Sequence, residues 1–139
     1  MTQAYRTDRV EAPVMLDASR PALQAFRLLQ AVFVLAPMVA GIDKFTDILT
    51  NWDFYLSPIV PQITHLAPHQ FMMGAGIVEI IAGLLVAMKP KVGGIVVAVW
   101  LAGIIINLLT IPGFFDVALR DFGLCLAAVA LSRLGSIFD

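Results

Sequence analysis

Apolar positions along this chain gather into four long runs, at 22–42, 70–88, 92–111 and 114–134, separated by shorter polar stretches. A helix of about twenty residues rises roughly 30 Å, the thickness of a bilayer's hydrocarbon core. The second run, QFMMGAGIVEIIAGLLVAM, is the one the others are organised around, because it carries a single carboxylate, Glu79, at its centre. At helical spacing Ala75, Gly76, Glu79, Ala82, Gly83 and Ala87 share one stripe. Small residues let helix backbones approach closely, so the stripe is expected to face protein and take the acid inward with it.

Proline and glycine set the boundaries. Arg20-Pro21 opens the first helix, since proline is tolerated in a first turn, and Pro37 is expected to kink its far end. Residues 1–20 scatter charges among short apolar pieces around Pro13 and read as a cytoplasmic tail or a surface-lying segment. The longest connection is 43–69, where prolines 58, 61 and 68 argue against a continuous helix and Trp52, Phe54 and Tyr55 suit the headgroup level. A short amphipathic helix around 44–52 and then an irregular return are expected there. Lys89-Pro90-Lys91 divides the second run from the third, Pro112-Gly113 the third from the fourth, and Gly135 is placed to cap the last helix. Short connections make consecutive helices antiparallel neighbours. The predicted class is all-α, an integral-membrane up-down antiparallel four-helix bundle over 21–139.

Composition agrees with lipid as the solvent. The chain of 139 residues is one domain, 60 % hydrophobic and only 14 % charged, with mean hydropathy +0.89, too few charges for a polar exterior. A net charge of −1 without a basic run gives no case for nucleic acid. The single cysteine, Cys125, excludes an intrachain disulfide and reads as a packing residue in an apolar helix. No cleaved signal peptide is expected, because Asp8, Glu11 and Asp17 lie ahead of the first apolar run. Arg6, Arg9, Arg20, Lys89, Lys91 and Arg133 fall on one side of the predicted membrane and Lys44 on the other. That asymmetry puts both termini in the cytoplasm and the 43–69 loop outside.

Ionisable groups inside a membrane need partners. Arg27 lies about 7 Å to the cytoplasmic side of the first helix's midpoint by the per-residue rise, within reach of the centre, so Arg27–Glu79 is the expected pair. Asn107 and Asp121 fall at similar depths in the outer half of the third and fourth helices and could bond each other. Asp116 and Arg120, spaced i,i+4 with the acid first, can pair locally. Lys44, Trp52 and Tyr55 are candidates in the outward loop. Two readings of this polar set stand: a cavity for a small polar molecule, a quinone headgroup or a proton, or a structural network fixing helix register. No residue is assigned a catalytic role. His65 and His69 are four apart, but Pro68 lies between them and no third ligand is near, so they read as an interfacial pair and no metal is expected. There is no phosphate loop, nucleophile motif or dinucleotide fingerprint.

Several of these residues also occur in a familiar order. Arg27, the GIDKF segment with Gly41, Lys44 and Phe45, Tyr55 followed by Pro58, the Glu-x-x-x-Gly of Glu79 and Gly83, and LRDFGLCLAAVAL around Asp121 together resemble the DoxX family and its MauE-like relatives over 22–134. The resemblance implies a bacterial inner-membrane four-helix protein linked to redox chemistry, as members include a subunit of thiosulfate:quinone oxidoreductase and components of oxidative-stress complexes. It implies a membrane component of a redox or quinone-linked system, not an enzyme on its own. A quinone is the one cofactor it suggests, none being held by protein side chains, with other membrane or membrane-docked subunits as partners and self-association left open. One departure is the third loop, IPGFF, which lacks the polar or histidine-containing insertion of many relatives and weakens any site at that end. The alternatives are a structural or assembly subunit of a larger complex and a small-molecule transporter with Glu79 as its proton site. The transporter is disfavoured unless the chain dimerises, because a lone four-helix unit has no interrupted helix pair.

Overall fold

The computed structural model describes the backbone of residues 2–139 and the side chains of residues 18–139. Five α-helices form among the described residues: α1 (Thr2–Thr46), α2 (Ile59–Thr64), α3 (Pro68–Met88), α4 (Pro90–Leu109) and α5 (Phe115–Phe138). A 3-10 turn at Trp52–Tyr55 lies between α1 and α2, and no strand occurs among the described residues. Four segments are long and apolar enough to cross a membrane, Ala18–Thr46, Pro68–Met88, Pro90–Leu109 and Phe115–Phe138, which is the mark of a multi-pass membrane protein. The helices pack chiefly as α1 on α3 and α4 on α5, with α3 against α4 and α1 against α5 joining the two pairs.

The main departure from the apolar pattern is α1. The stretch expected to be a tail, 1–20, is helical from Thr2, and the helix runs past residue 42 through Asp43 and Lys44 to Thr46. No amphipathic helix forms at 44–52. Instead Asp47 turns left-handed (φ 50°), and the chain folds back over the end of α1. At the other end of the molecule α5 passes through Gly135 to Phe138, so Gly135 is no cap. It is buried because a Cβ there would lie 2.9 Å from the Lys91 backbone, where α5 meets the start of α4. Ser132 Oγ donates to Lys91 O at 2.7 Å beside it.

α1 and α3 meet backbone to backbone. A Cβ built on Gly41 would stand 2.6 Å from the Gly76 carbonyl oxygen, and one on Gly76 would stand 2.5 Å from the Gly41 carbonyl oxygen. This is the close crossing that small residues permit between apolar helices. The stripe on α3 is buried as expected at Ala75, Gly76, Glu79, Ala82 and Gly83. Val86 continues it, while Ala87 is exposed, because seven residues from Glu79 complete two turns and eight overshoot. Two apolar clusters form among the described residues. Phe26, Phe33, Ala82, Val86, Val97, Ala98, Ala128 and Leu131 fill the larger, and Leu56, Met72 and Ala75 with Trp52 and Trp100 make a smaller one under the loop.

Candidate functional site

The register of α1 on α3 decides which cation reaches Glu79. Gln30 Nε2 donates to the carbonyls of Val86 and Ala87, so this part of α1 lies level with the end of α3. Gly41 then meets Gly76, and Lys44 arrives beside Glu79. The Lys44 Nζ–Glu79 Oε2 distance is 2.7 Å, and the two side chains are only 6 and 9 % exposed. Trp100 Nε1 donates to the other carboxylate oxygen at 3.3 Å. The expected Arg27–Glu79 pair does not form. Arg27 stands about 25 Å along α1 from Lys44 by the per-residue rise, exposed, over the Phe26 ring and donating to Gln30. Depth counted from the two helix midpoints presumes that α1 and α3 share a centre, whereas their register brings Lys44, near the end of α1, level with Glu79.

Around Lys44 the loop is clasped to the helix end. The ammonium lies 3.8 Å from the centre of the Trp52 ring, a cation–π contact in a largely dry setting. Trp52 Nε1 in turn donates to Asp43 Oδ2 at 2.8 Å. The Asp43 carboxylate also accepts from the backbone N–H groups of Ile48 and Leu49 and from the Thr46 hydroxyl. One buried acid thus satisfies the first donors after α1 and fixes the tryptophan that covers Lys44. Replacing Asp43 with alanine is expected to free the loop while leaving the helices in place. Limited proteolysis within 47–51 should rise severalfold and tryptophan emission shift to the red, with helical circular dichroism unchanged; an unaltered cleavage rate would refute the clasp.

Asn107 ties α4 to the loop rather than to α5. Its Nδ2 donates to Tyr55 O at 2.6 Å and its Oδ1 accepts from Ser57 N–H at 2.8 Å. The expected Asn107–Asp121 bond is therefore absent, although α4 and α5 are neighbours. Tyr55 packs edge-on against Phe114, whereas Phe54 points outward, 69 % exposed. His65 ends α2 in a left-handed conformation (φ 59°), and His69 sits in the first turn of α3, 3.9 Å from carboxylate oxygens of Asp47 and Asp53. A helix break separates the two imidazoles, so they do not share a face, and no group of metal-holding residues occurs among the described residues. Cys125 is half-buried between α4 and α5, its thiol donating to Ala98 O. Arg120 and Asp116 pair at 3.7 Å on the exposed face of α5, as their spacing predicts.

These elements surround an open cavity of about 660 Å³. Its walls are mostly apolar, contributed by α1, α3, α4, α5 and the loop, and the polar groups reaching it include Lys44, Glu79, Trp100, Asn107 and Asp121. Six expected site residues, Lys44, Trp52, Tyr55, Glu79, Asn107 and Asp121, are thus brought to one space, and Arg27 is not. Trp100 and Asp43 were missed as site residues. The signal for Asp43 was its place in GIDKF, directly beside the buried lysine; for Trp100 there was none beyond its position in an apolar run. Val32 and Ala36 on α1 and Leu124 on α5 line the cavity and are exposed on the outer surface of the helices, so it opens sideways between apolar helix faces. The chain matches no protein-family model, no curated protein and no solved structure.

Proposed function

We propose that this chain is a DoxX-like protein of the bacterial inner membrane, inserted as an up-down antiparallel four-helix bundle, that serves as the membrane component of a quinone-linked redox system. The observation that carries the proposal is the largely apolar cavity of about 660 Å³ abutting the buried Lys44–Glu79 pair. Its volume lies in the range of small-ligand sites, and apolar walls with few polar groups suit a ring bearing polar substituents. An ammonium has three donors, so Lys44 bonded to Glu79 retains capacity to donate to a ligand oxygen. The chain carries no set of redox-active side chains, which makes it a non-catalytic subunit in this reading. With Lys44 paired inside the bundle, residues 47–67 and 110–114 contain no Lys or Arg, which supports termini on the cytoplasmic side.

The test is purification of the native protein from its own membrane in mild detergent, with mass spectrometry of co-purifying polypeptides and extracted quinone. A stoichiometric quinone with a recurrent oxidoreductase is the expected result. Recovery in a large non-redox assembly without quinone overturns it and favours a second reading, that of a structural or assembly subunit. One observation favours that alternative: Lys44, Glu79 and Trp100 satisfy one another, as a register-fixing network would.

A further inference from the structure

Among the described residues four charged side chains line the cavity, and three of them are ion-paired. Lys44 and Glu79 hold each other, and Arg120 pairs with Asp116. The Asn107 amide is used on both sides by the loop backbone. Asp121 lines the same cavity, is partly buried within an apolar helix, and makes no hydrogen bond or ion pair among the described residues. Glu79 and Lys44 line the same cavity but are already bonded to each other. A carboxylate in such surroundings is costly without a partner. From this we infer that Asp121 is the residue that bonds the cavity's ligand, and that the ligand is a hydrogen-bond donor: a lipid-soluble hydroquinone or similar phenol, entering sideways from the bilayer.

The inference rests on the quinone-linked reading and sharpens it to one redox form. An ionised carboxylate only accepts. A hydroquinone presents hydroxyl donors to it, whereas the carbonyl oxygens of the oxidised ring are acceptors and would face the Asp121 oxygens without a proton between them. Entry from lipid fits the opening flanked by the exposed side chains Val32, Ala36 and Leu124, none of which is polar.

The experiment is calorimetric binding to the intact chain in detergent under anaerobic conditions, with a benzoquinol carrying one isoprenyl unit and the matching benzoquinone as probes. The wild type is expected to bind the quinol about tenfold tighter or more, the scale of a hydrogen bond to a charged group. Asp121→Asn removes the charge, strands no partner, and supplies an amide donor. It is expected to weaken quinol binding about tenfold and to erase or reverse the preference. Unchanged quinol affinity in Asp121→Asn, or equal affinity of the wild type for both forms, overturns the assignment of Asp121 while leaving a quinone in the cavity. If neither form binds the wild type, the quinone reading falls as well, and the assignment with it.

Discussion

Replacing Lys44 with methionine is expected to destabilise the protein by about 3–5 kcal/mol, because it leaves the Glu79 carboxylate buried beside apolar side chains. Methionine matches the length of the lysine stem, so little packing is lost and the deficit reports the stranded charge. Both groups are almost fully buried, so water offers the carboxylate little relief. Adding Glu79→Gln to the same chain should recover most of the loss, since a neutral amide no longer needs the ammonium and Trp100 can still donate to its oxygen. The two single variants and the double form a cycle whose coupling energy measures the pair. Arg27→Ala should fall within about 0.5 kcal/mol of the wild type, as surface substitutions do. Unfolding in detergent followed by circular dichroism reads all four. A Lys44→Met chain as stable as the wild type, with Arg27→Ala strongly destabilised, would restore the pairing that depth alone suggested.

The second large effect concerns a methyl group. Gly76→Ala places a Cβ 2.5 Å from the Gly41 carbonyl oxygen, and side-chain rotation moves neither atom because the backbones fix both positions. The helices must separate, at a cost of about 1–3 kcal/mol for an overpacked site. Separation also pulls Glu79 from Lys44, because Gly76 and Glu79 lie three residues apart on α3 and Gly41 and Lys44 three apart on α1. Gly74→Ala is the matched control. A Cβ there meets nothing within 4 Å, so it should be neutral or stabilising by up to about 1 kcal/mol through helix propensity. Equal stability of the two variants, measured by the same unfolding experiment, would mean that α1 and α3 do not cross at this contact.

The two experiments probe one arrangement, in which a glycine crossing sets the distance and a lysine one turn on uses it. The same arrangement explains the loop. Because α1 ends level with the middle of α3, the N-terminal half of α3 has no α1 beside it, and the returning chain fills that place with Trp52, Leu56 and Val60 around Met72. Asp43 makes this possible by bonding the first free backbone donors after the helix. The cavity lies under this cover, with Trp52 and Tyr55 in its wall.

The apolar runs by themselves determined four helices of membrane-crossing length, the burial of Glu79 and the small-residue stripe that carries it inward. These follow from local quantities: length at a fixed rise, periodicity at 3.6 residues, and the cost of an exposed carboxylate in an apolar face. Asp116 and Arg120 could be paired for the same reason, since their spacing lies within one helix. The partner of Glu79 could not. It depends on how far α1 slides along α3, and that slide is fixed by a backbone contact between Gly41 and Gly76, which are distant in sequence and carry no side chain to signal it. Counting from the midpoint of an apolar run assumes that helices share a centre. The tertiary structure sets the offset instead, bringing Lys44 to Glu79 and leaving Arg27 at the far end. Asn107 was lost to the loop on the same account, because its partners are backbone groups of Tyr55 and Ser57, which any residues there would have presented.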